Sequence, residues 1–382
     1  MNTLLHSAIL PNGSAFIAAL VKRAYRMSRG RRAEITAETP PFATEPTYAP
    51  SANAEAMPRF VEDNDLMAIA KPYTDVLLRG HAHARTSVSM LDTAVRISGF
   101  EKRVRVWGPR VITLDTRGRI CFSSPASFSS FPLTWDHAYG GRDAHAEREL
   151  HPRKPALLIK GEPAGEPHGA LSYPRNPSGR GFFIDVNCER IANTLAPNLE
   201  DPEDPVTPDR LLAADALDWI DRPASACYEP VAPLAFPRSQ FFLPPERAHS
   251  ARAIRETTEG VLATSDLERV FNPKMMPDPR FYNCSAAGFR RAALAGDERV
   301  SLWNLHRSAE LFEFDLPAER PKILMQPPGC EARELCAVLK NVLVEPDDDR
   351  VTLTWCALMA TAMPFPDEVL SQVRHAVVWE RG

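Results

Sequence analysis

Along the chain, apolar residues recur mostly at every second position or in short unbroken runs, and the three-and-four spacing of an amphipathic helix is scarce. Ser87–Ile97 and Lys102–Val106 alternate apolar with polar residues on either side of Ser98-Gly99, which predicts a hairpin. Val111–Leu114 and Ile120–Phe122 flank Asp115-Thr116-Arg117-Gly118-Arg119 and predict another. Near the end, Leu335–Val344 and Val351–Met359 read as strands joined by Glu345-Pro346-Asp347-Asp348-Asp349-Arg350. The stretch Lys71–Ala84 opens on a Pro-Tyr-Thr-Asp turn signal, continues as an apolar strand core and reaches Gly80 before a His-Ala-His-Ala tail. It reads as turn, strand and bulge, with Val76, Leu78, Gly80, Ala82 and Ala84 on the buried face and Leu77, Arg79, His81 and His83 on the other.

Two patterns compete over residues 14–32. Phe16, Ile17, Leu20, Val21 and Tyr25 fit a helix face opposite a basic one, as in a membrane-surface helix, and they fit equally a strand, a turn at Gly30 and a second strand. Helical spacing predicts short helices over Leu211–Ile220, with Pro208 before it and Pro223 after it, over Glu256–Val270 and, more weakly patterned, over Ser285–Leu294. Residues 38–60 are proline- and alanine-rich and read as an extended loop. From 123 to 210, Ser, Pro, Gly and Asn dominate, and Gly140-Gly141 and Gly179-Arg180-Gly181 mark tight turns or close backbone approaches.

Composition reinforces the strand pattern: 36 prolines against 18 glycines disfavour a helix bundle, since proline breaks helices and central strands alike. The expected fold is therefore mainly β, with packed antiparallel sheets, long ordered loops and a few short helices. At 382 residues the chain fits one large domain over 1–382, with a boundary near 230–245 if it divides into two lobes. With 45 basic against 49 acidic residues, there is no surplus of positive charge for a nucleic-acid backbone. Seven scattered cysteines without a Cys-x-x-Cys pair argue against a disulfide framework or a zinc ribbon and fit a reducing cytoplasm. No apolar run reaches the length needed to span a membrane, and the N-terminus has no basic leader region, so neither export nor embedding is expected.

Among candidate chemistries, His81 and His83 on one strand face supply two imidazoles to a metal, and Asp75 is the acidic residue a metal-dependent hydrolase would add. The bland reading is two polar side chains at a strand end. Asp347-Asp348-Asp349 offers oxygen ligands but lacks the spaced loop of a calcium site, and reads as a solvated turn. Gly-x-Ser-x-Gly, a P-loop, Gly-x-Gly-x-x-Gly and His-Glu-x-x-His are all missing. No catalytic residue, metal ligand or cofactor is assigned, and the six tryptophans read mostly as core.

Five motifs in order carry a resemblance. Lys71-Pro72-Tyr73-Thr74-Asp75-Val76 with Gly80-His81-Ala82 comes first, then Phe131-Pro132-Leu133-Thr134-Trp135-Asp136-His137-Ala138-Tyr139-Gly140-Gly141 and Arg175-Asn176-Pro177-Ser178-Gly179-Arg180-Gly181-Phe182. Leu195-Ala196-Pro197-Asn198-Leu199-Glu200-Asp201-Pro202 and Gly296–Leu305 follow. The series resembles the type VI secretion effector adaptor (chaperone) family. That resemblance implies a cytoplasmic, non-enzymatic adaptor that binds a cognate toxic effector and helps load it onto a valine-glycine-repeat (VgrG-type) spike bearing a PAAR-type tip protein. It singles out Lys71, Asp75, Gly80, His81, Gly140, Gly141, Asn176, Gly179, Gly181 and Asn198 as signature residues, structural or partner-binding. It also favours a strand at Leu20–Tyr25, where Val21-Lys22-Arg23-Ala24-Tyr25 fits the family's Val-Lys-x-x-Tyr pattern. One departure stands out: between Pro230 and Phe242 the family usually carries a Gly-Thr-Tyr-Asp-type segment, and this chain has Val231-Ala232-Pro233-Leu234-Ala235-Phe236-Pro237-Arg238-Ser239-Gln240. If that segment touches the effector, this chain's partner differs from the usual one, with the fold unaffected.

Overall fold

A computed structural model describes residues 1–9, 14–52, 56–146, 172–173, 175–183, 187–212, 222–233, 235, 238, 282–286, 289–291 and 294–381. The fold is mainly β. A first sheet runs in the order Asn2–Ile9, Ala15–Arg26, Arg350–Thr361, Val338–Glu345, Thr74–Leu78 and Arg290–Arg291, with Glu34–Ile35 also pairing to Ala15–Arg26. A second sheet runs Leu199–Glu200, Phe100–Trp107, Met90–Ile97, Arg299–His306 and Ala309–Asp315. A third, of three strands, places Glu319–Gln326 between Arg333–Cys336 and Arg374–Arg381.

One core joins them. Ile17, Val21, Val342, Leu353 and Trp355 of the first sheet, Val95, Val104, Val300 and Phe314 of the second, and Ile323 and Met325 of the third belong to a single buried cluster. The opposite face of Ala15–Arg26 is buried as well, because Phe16, Ala18 and Leu20 pack with Cys356 and Ala68. A strand buried on both faces carries almost unbroken apolar sequence, which is why its pattern also suits a helix. The structure settles residues 14–32 as strand, turn at Gly30 and a short second strand.

Both predicted hairpins are present. Met90–Ile97 and Phe100–Trp107 join through Ser98 and Gly99, whose φ values of 51° and 74° are those of a two-residue hairpin turn. Ile112–Leu114 pairs with Ile120–Phe122. Proline-rich 38–60 is not wholly loop, since Thr47–Ala49 pairs with Arg59–Glu62. Two pairings are parallel rather than antiparallel: Thr74–Leu78 with Val338–Glu345, and Tyr139–Gly140 with Arg180–Gly181.

Three expectations change. Lys71–Ala84 is not one bulged strand: Thr74–Leu78 belongs to the first sheet, the chain turns a corner at Arg79-Gly80, and His81–Val88 pairs with Phe128–Pro132 instead. The helix expected over Ser285–Leu294 is absent from its described residues, where Arg290–Arg291 pairs with Asp75 and Thr74. Sheet pairing to a segment far away in sequence overrides the local helical spacing. A one-turn helix covers Pro208–Leu211 and ends before Leu212, so it overlaps the helix expected over Leu211–Ile220 only at Leu211; residues 213–220 and Glu256–Val270 lie outside the described residues. The suggested boundary near 230–245 also lies largely outside them. Among the described residues no helix is long and apolar enough to cross a membrane.

Candidate functional site

The first signature folds into two ties, one at each end. Lys71 Nζ stands 2.7 Å from Asp75 Oδ2, with both side chains essentially inaccessible to solvent. Asp75 also accepts from Asn283 Nδ2 at 2.9 Å, from the Cys284 amide at 2.9 Å, and from the Ser285 hydroxyl at 2.7 Å and amide at 3.1 Å. Lys71 in turn donates to Asn341 Oδ1 at 2.9 Å and reaches Cys284 Sγ at 3.4 Å. Burial pushes the Asp75 carboxyl up, but Lys71 and the donors of Cys284 and Ser285 outweigh it and hold the carboxyl well below its usual range. Burial likewise pulls Lys71 down, and Asp75 more than reverses this, so the ammonium holds its proton more tightly than a free lysine. The pair is fully charged and fully bonded, and it ties the start of Thr74–Leu78 to a segment more than 200 residues away.

At the other end, His81 Nδ1 and His83 Nε2 meet the two oxygens of one carboxylate, Asp347, at 2.7 and 2.6 Å. Burial raises that carboxyl, and the two rings outweigh it, so Asp347 sits below the usual carboxylate range. Each imidazole bonds a different oxygen. Among the described residues no group of three or more His, Cys, Asp or Glu is arranged to hold a metal ion. Asp75 does not join His81 and His83. Gly80 lies between the two ties, and a Cβ there would stand 3.1 Å from Asp347 Oδ2 and 3.3 Å from Pro346 Cδ. The acidic turn is thus no merely solvated loop, for Asp349 also meets buried His306 at 2.7 Å.

Between the ties, the first sheet's polar face and residues 61–65 enclose a cleft of about 130 Å³ lined by Lys22, Asp65, Lys71, Arg79, Glu345 and Thr352, among others. Its charges are paired: Lys22 with Asp65 at 2.6 Å, and Arg79 and Arg350 with Glu345 at 3.4 and 2.7 Å. The buried Thr352 hydroxyl has no hydrogen-bond partner among the described residues.

The middle motifs form a second cluster, a layer of loops. Asn176 Nδ2 donates to the carbonyls of Trp135 at 2.8 Å and Tyr139 at 3.1 Å. A Cβ on Gly140, whose φ is 147°, would lie 2.2 Å from Asn176 O, and one on Gly179 would lie 2.6 Å from Ala138 O. Gly141 and Gly181 complete the contact, against Gly179 and Pro197. Backbone therefore meets backbone here without room for any side chain. Asn198 bridges the layer to the second sheet, donating to the carbonyls of Trp107 and Gly108 at 3.1 Å each. Beneath it, Glu229 is buried, pairs with Arg59 and accepts from the Trp135 amide at 3.1 Å. Burial raises the Glu229 carboxyl to about 7 in spite of both partners. Burial also lowers the His137 imidazole to about 4, with Arg180 adding to the effect.

The structure gathers the ten signature residues into these two clusters. Sequence reasoning missed the partners that complete them: Asn283, Cys284, Ser285, Asn341, Asp347 and Glu229. Only Asp347 stood in a stretch weighed for its chemistry, as part of an acidic run; Ser285 and Asn341 fell within an expected helix and an expected strand.

Residues 12–356 match the family described as "Uncharacterized protein conserved in bacteria (DUF2169)". The chain belongs to that family. No curated protein matches it, and no solved structure does. The matched span includes both clusters and leaves out two described strands, Asn2–Ile9 at the first sheet's edge and Arg374–Arg381 in the third sheet.

Proposed function

We propose that this chain is a cytoplasmic, non-enzymatic adaptor that binds a cognate type VI effector and helps load it onto the VgrG-type spike with its PAAR-type tip. One observation carries the reading: the polar residues of the motifs that resemble the adaptor family are spent on ties between distant parts of the fold. Asp75 has accepted six donors from four residues, Asn176 holds two carbonyls, and Asn198 holds two more. A catalytic carboxylate needs a lone pair facing substrate, and Asp75 keeps none free. Residues spent in this way fix a surface in advance, which reduces the ordering cost of binding a protein client.

Deleting the gene tests this. The expected outcome is that one neighbouring effector falls in level or fails to be secreted while other effectors still leave the cell, and that effector and adaptor co-purify when expressed together. An effector that is made, secreted and toxic at normal levels without this chain would sink the proposal.

A further inference from the structure

Asn2–Ile9 is an edge strand of an unusual kind. All eight residues pair in unbroken register with Ala15–Lys22, without a bulge, and each is at least partly exposed. Its sequence, Asn-Thr-Leu-Leu-His-Ser-Ala-Ile, contains no Asp, Glu, Lys, Arg, Pro or Gly. Among the described residues its main-chain amides and carbonyls bond only within its own hairpin; the outside contacts are through side chains, Ser7 Oγ accepting from the Phe365 amide at 2.7 Å and Asn2 Nδ2 donating to the carbonyls of Thr39 and Pro40 at 3.2 and 2.8 Å. Proteins blunt such edges with charge, proline, bulges or shortness, because a free row of amides and carbonyls is a template for another strand.

The other edges of these three sheets are charged or short, and Arg333–Cys336 carries Arg333 and Glu334. Arg374–Arg381 carries Arg374, Glu380 and Arg381, while Ala309–Asp315 carries three carboxylates and is met at Asp315 by Arg32. Leu199–Glu200 and Arg290–Arg291 are only two residues long.

We propose that Asn2–Ile9 is the docking edge for the client, which adds an extended, uncharged segment as one further strand of the first sheet. This rests on the adaptor reading and names its contact. Charge selects the occupant: a strand laid alongside would set its side chains beside Leu4 and Ala8 on one face and Leu5 on the other, all packed against apolar clusters. A charged residue there would lose water without gaining a partner. A second copy of this chain is the other uncharged occupant, and it would slow these amides in the free chain as its concentration rises, an outcome that would overturn the proposal. The edge also lies outside the residues matched to the family. Main-chain bonds would supply affinity and the alternating side chains specificity.

The test uses the full chain co-expressed with the effector encoded beside it, with amide hydrogen exchange as the readout. In the complex, exchange of the residue 2–9 amides is expected to slow roughly tenfold or more. The double variant His6→Lys/Ala8→Lys, which puts charge on the edge, is expected to reduce co-purification by roughly tenfold while leaving the thermal midpoint of the free chain close to wild type. If the complex forms but these amides exchange as in the free chain, the docking edge is elsewhere and the adaptor reading stands. If wild type and effector do not associate, both proposals fall. Should the double variant not fold, the exchange measurement on wild type decides alone.

Discussion

Lys71–Asp75 and His81/His83–Asp347 sit at two ends of one short stretch and have nearly the same contact distances, yet their surroundings differ sharply. The first pair is 1% and 0% exposed, whereas the His81 side chain is 47% and Asp347 31% exposed. Distance alone therefore says little about what a contact contributes. Where water is excluded, removing one partner strands a charge that nothing can resolvate, and where water is present it fills the gap.

The sharpest break in this comparison is Asp75→Ala. It leaves the Lys71 ammonium buried with Asn341 as its main partner and removes the acceptor from Asn283, Cys284 and Ser285, so a loss of about 3–5 kcal/mol in unfolding free energy is expected. Adding Lys71→Met should recover part of it, because the stranded charge disappears. Equilibrium denaturation decides, and a loss below about 1 kcal/mol would show that burial is not what sets the two ties apart.

Glu229 and Arg59 stand between the extremes, with one partner fully buried and the other 19% exposed. The folded carboxyl titrates near 7, above its ordinary 4.5, so the folded protein binds that proton more tightly than the unfolded chain does. This contribution is fully present below the unfolded value and is lost as pH rises through 7. Between pH 4.5 and 8 it should lower unfolding free energy by up to about 3 kcal/mol, and Glu229→Gln should flatten the slope. Asp75 acts in the opposite sense, its contribution being lost as pH falls below the usual carboxylate range of about 4. A wild-type profile as flat as that of Glu229→Gln would rule out the raised carboxyl.

Gly80 couples the two ties, and Gly80→Val sharpens the contrast. A side chain there must displace the Asp347 carboxylate and Pro346, at an expected cost of about 1–3 kcal/mol. The displacement should show as broadened or shifted His81 and His83 resonances while Lys71–Asp75 stays intact. Unchanged imidazole resonances would mean that the corner accommodates the valine without moving Asp347.

What was legible in the sequence follows the same division between near and far. Ser98-Gly99 announces its hairpin because the turn chemistry is local, and the alternation on either side fixes the register. His81 and His83 fall on one face because the period of a strand is two. Their partner could not be read, since Asp347 lies 264 residues beyond His83 and belongs to a turn whose acidity has a solvated explanation of its own. The same holds for Asn283-Cys284-Ser285, ordinary residues that matter because the antiparallel pairing of Arg290–Arg291 with Thr74 and Asp75 sets their segment beside that carboxylate. Ala15–Arg26 was ambiguous in its own pattern for another reason: burial on both faces erased the alternation that identifies a strand, and the family resemblance, not the spacing, favoured the strand that is found. The glycine loops were visible as loops, but the backbone contact that demands glycine exists only once both are folded against each other.

The smallest effect is expected from the exposed clamp itself. Replacing His81 and His83 together by Ala removes both donors from Asp347, whose carboxylate then turns to water across its exposed side. Exposed pairs of this kind are worth about 0–1 kcal/mol, so the double variant should lose less than about 1 kcal/mol at neutral pH. His83, 20% exposed, should account for more of the loss than His81. The variant should also lose a small acid-side component of stability. Asp347 is held below its usual range by the two rings, and that contribution is present above about pH 4 and vanishes as pH falls through the folded value. Denaturant titrations at pH 7 and at successively lower pH measure both, and the gap between wild type and variant should narrow as pH falls below about 4. A loss as large as that of Asp75→Ala at neutral pH would mean that this exposed contact carries the corner between the sheets, and that burial does not separate the two ends of the stretch.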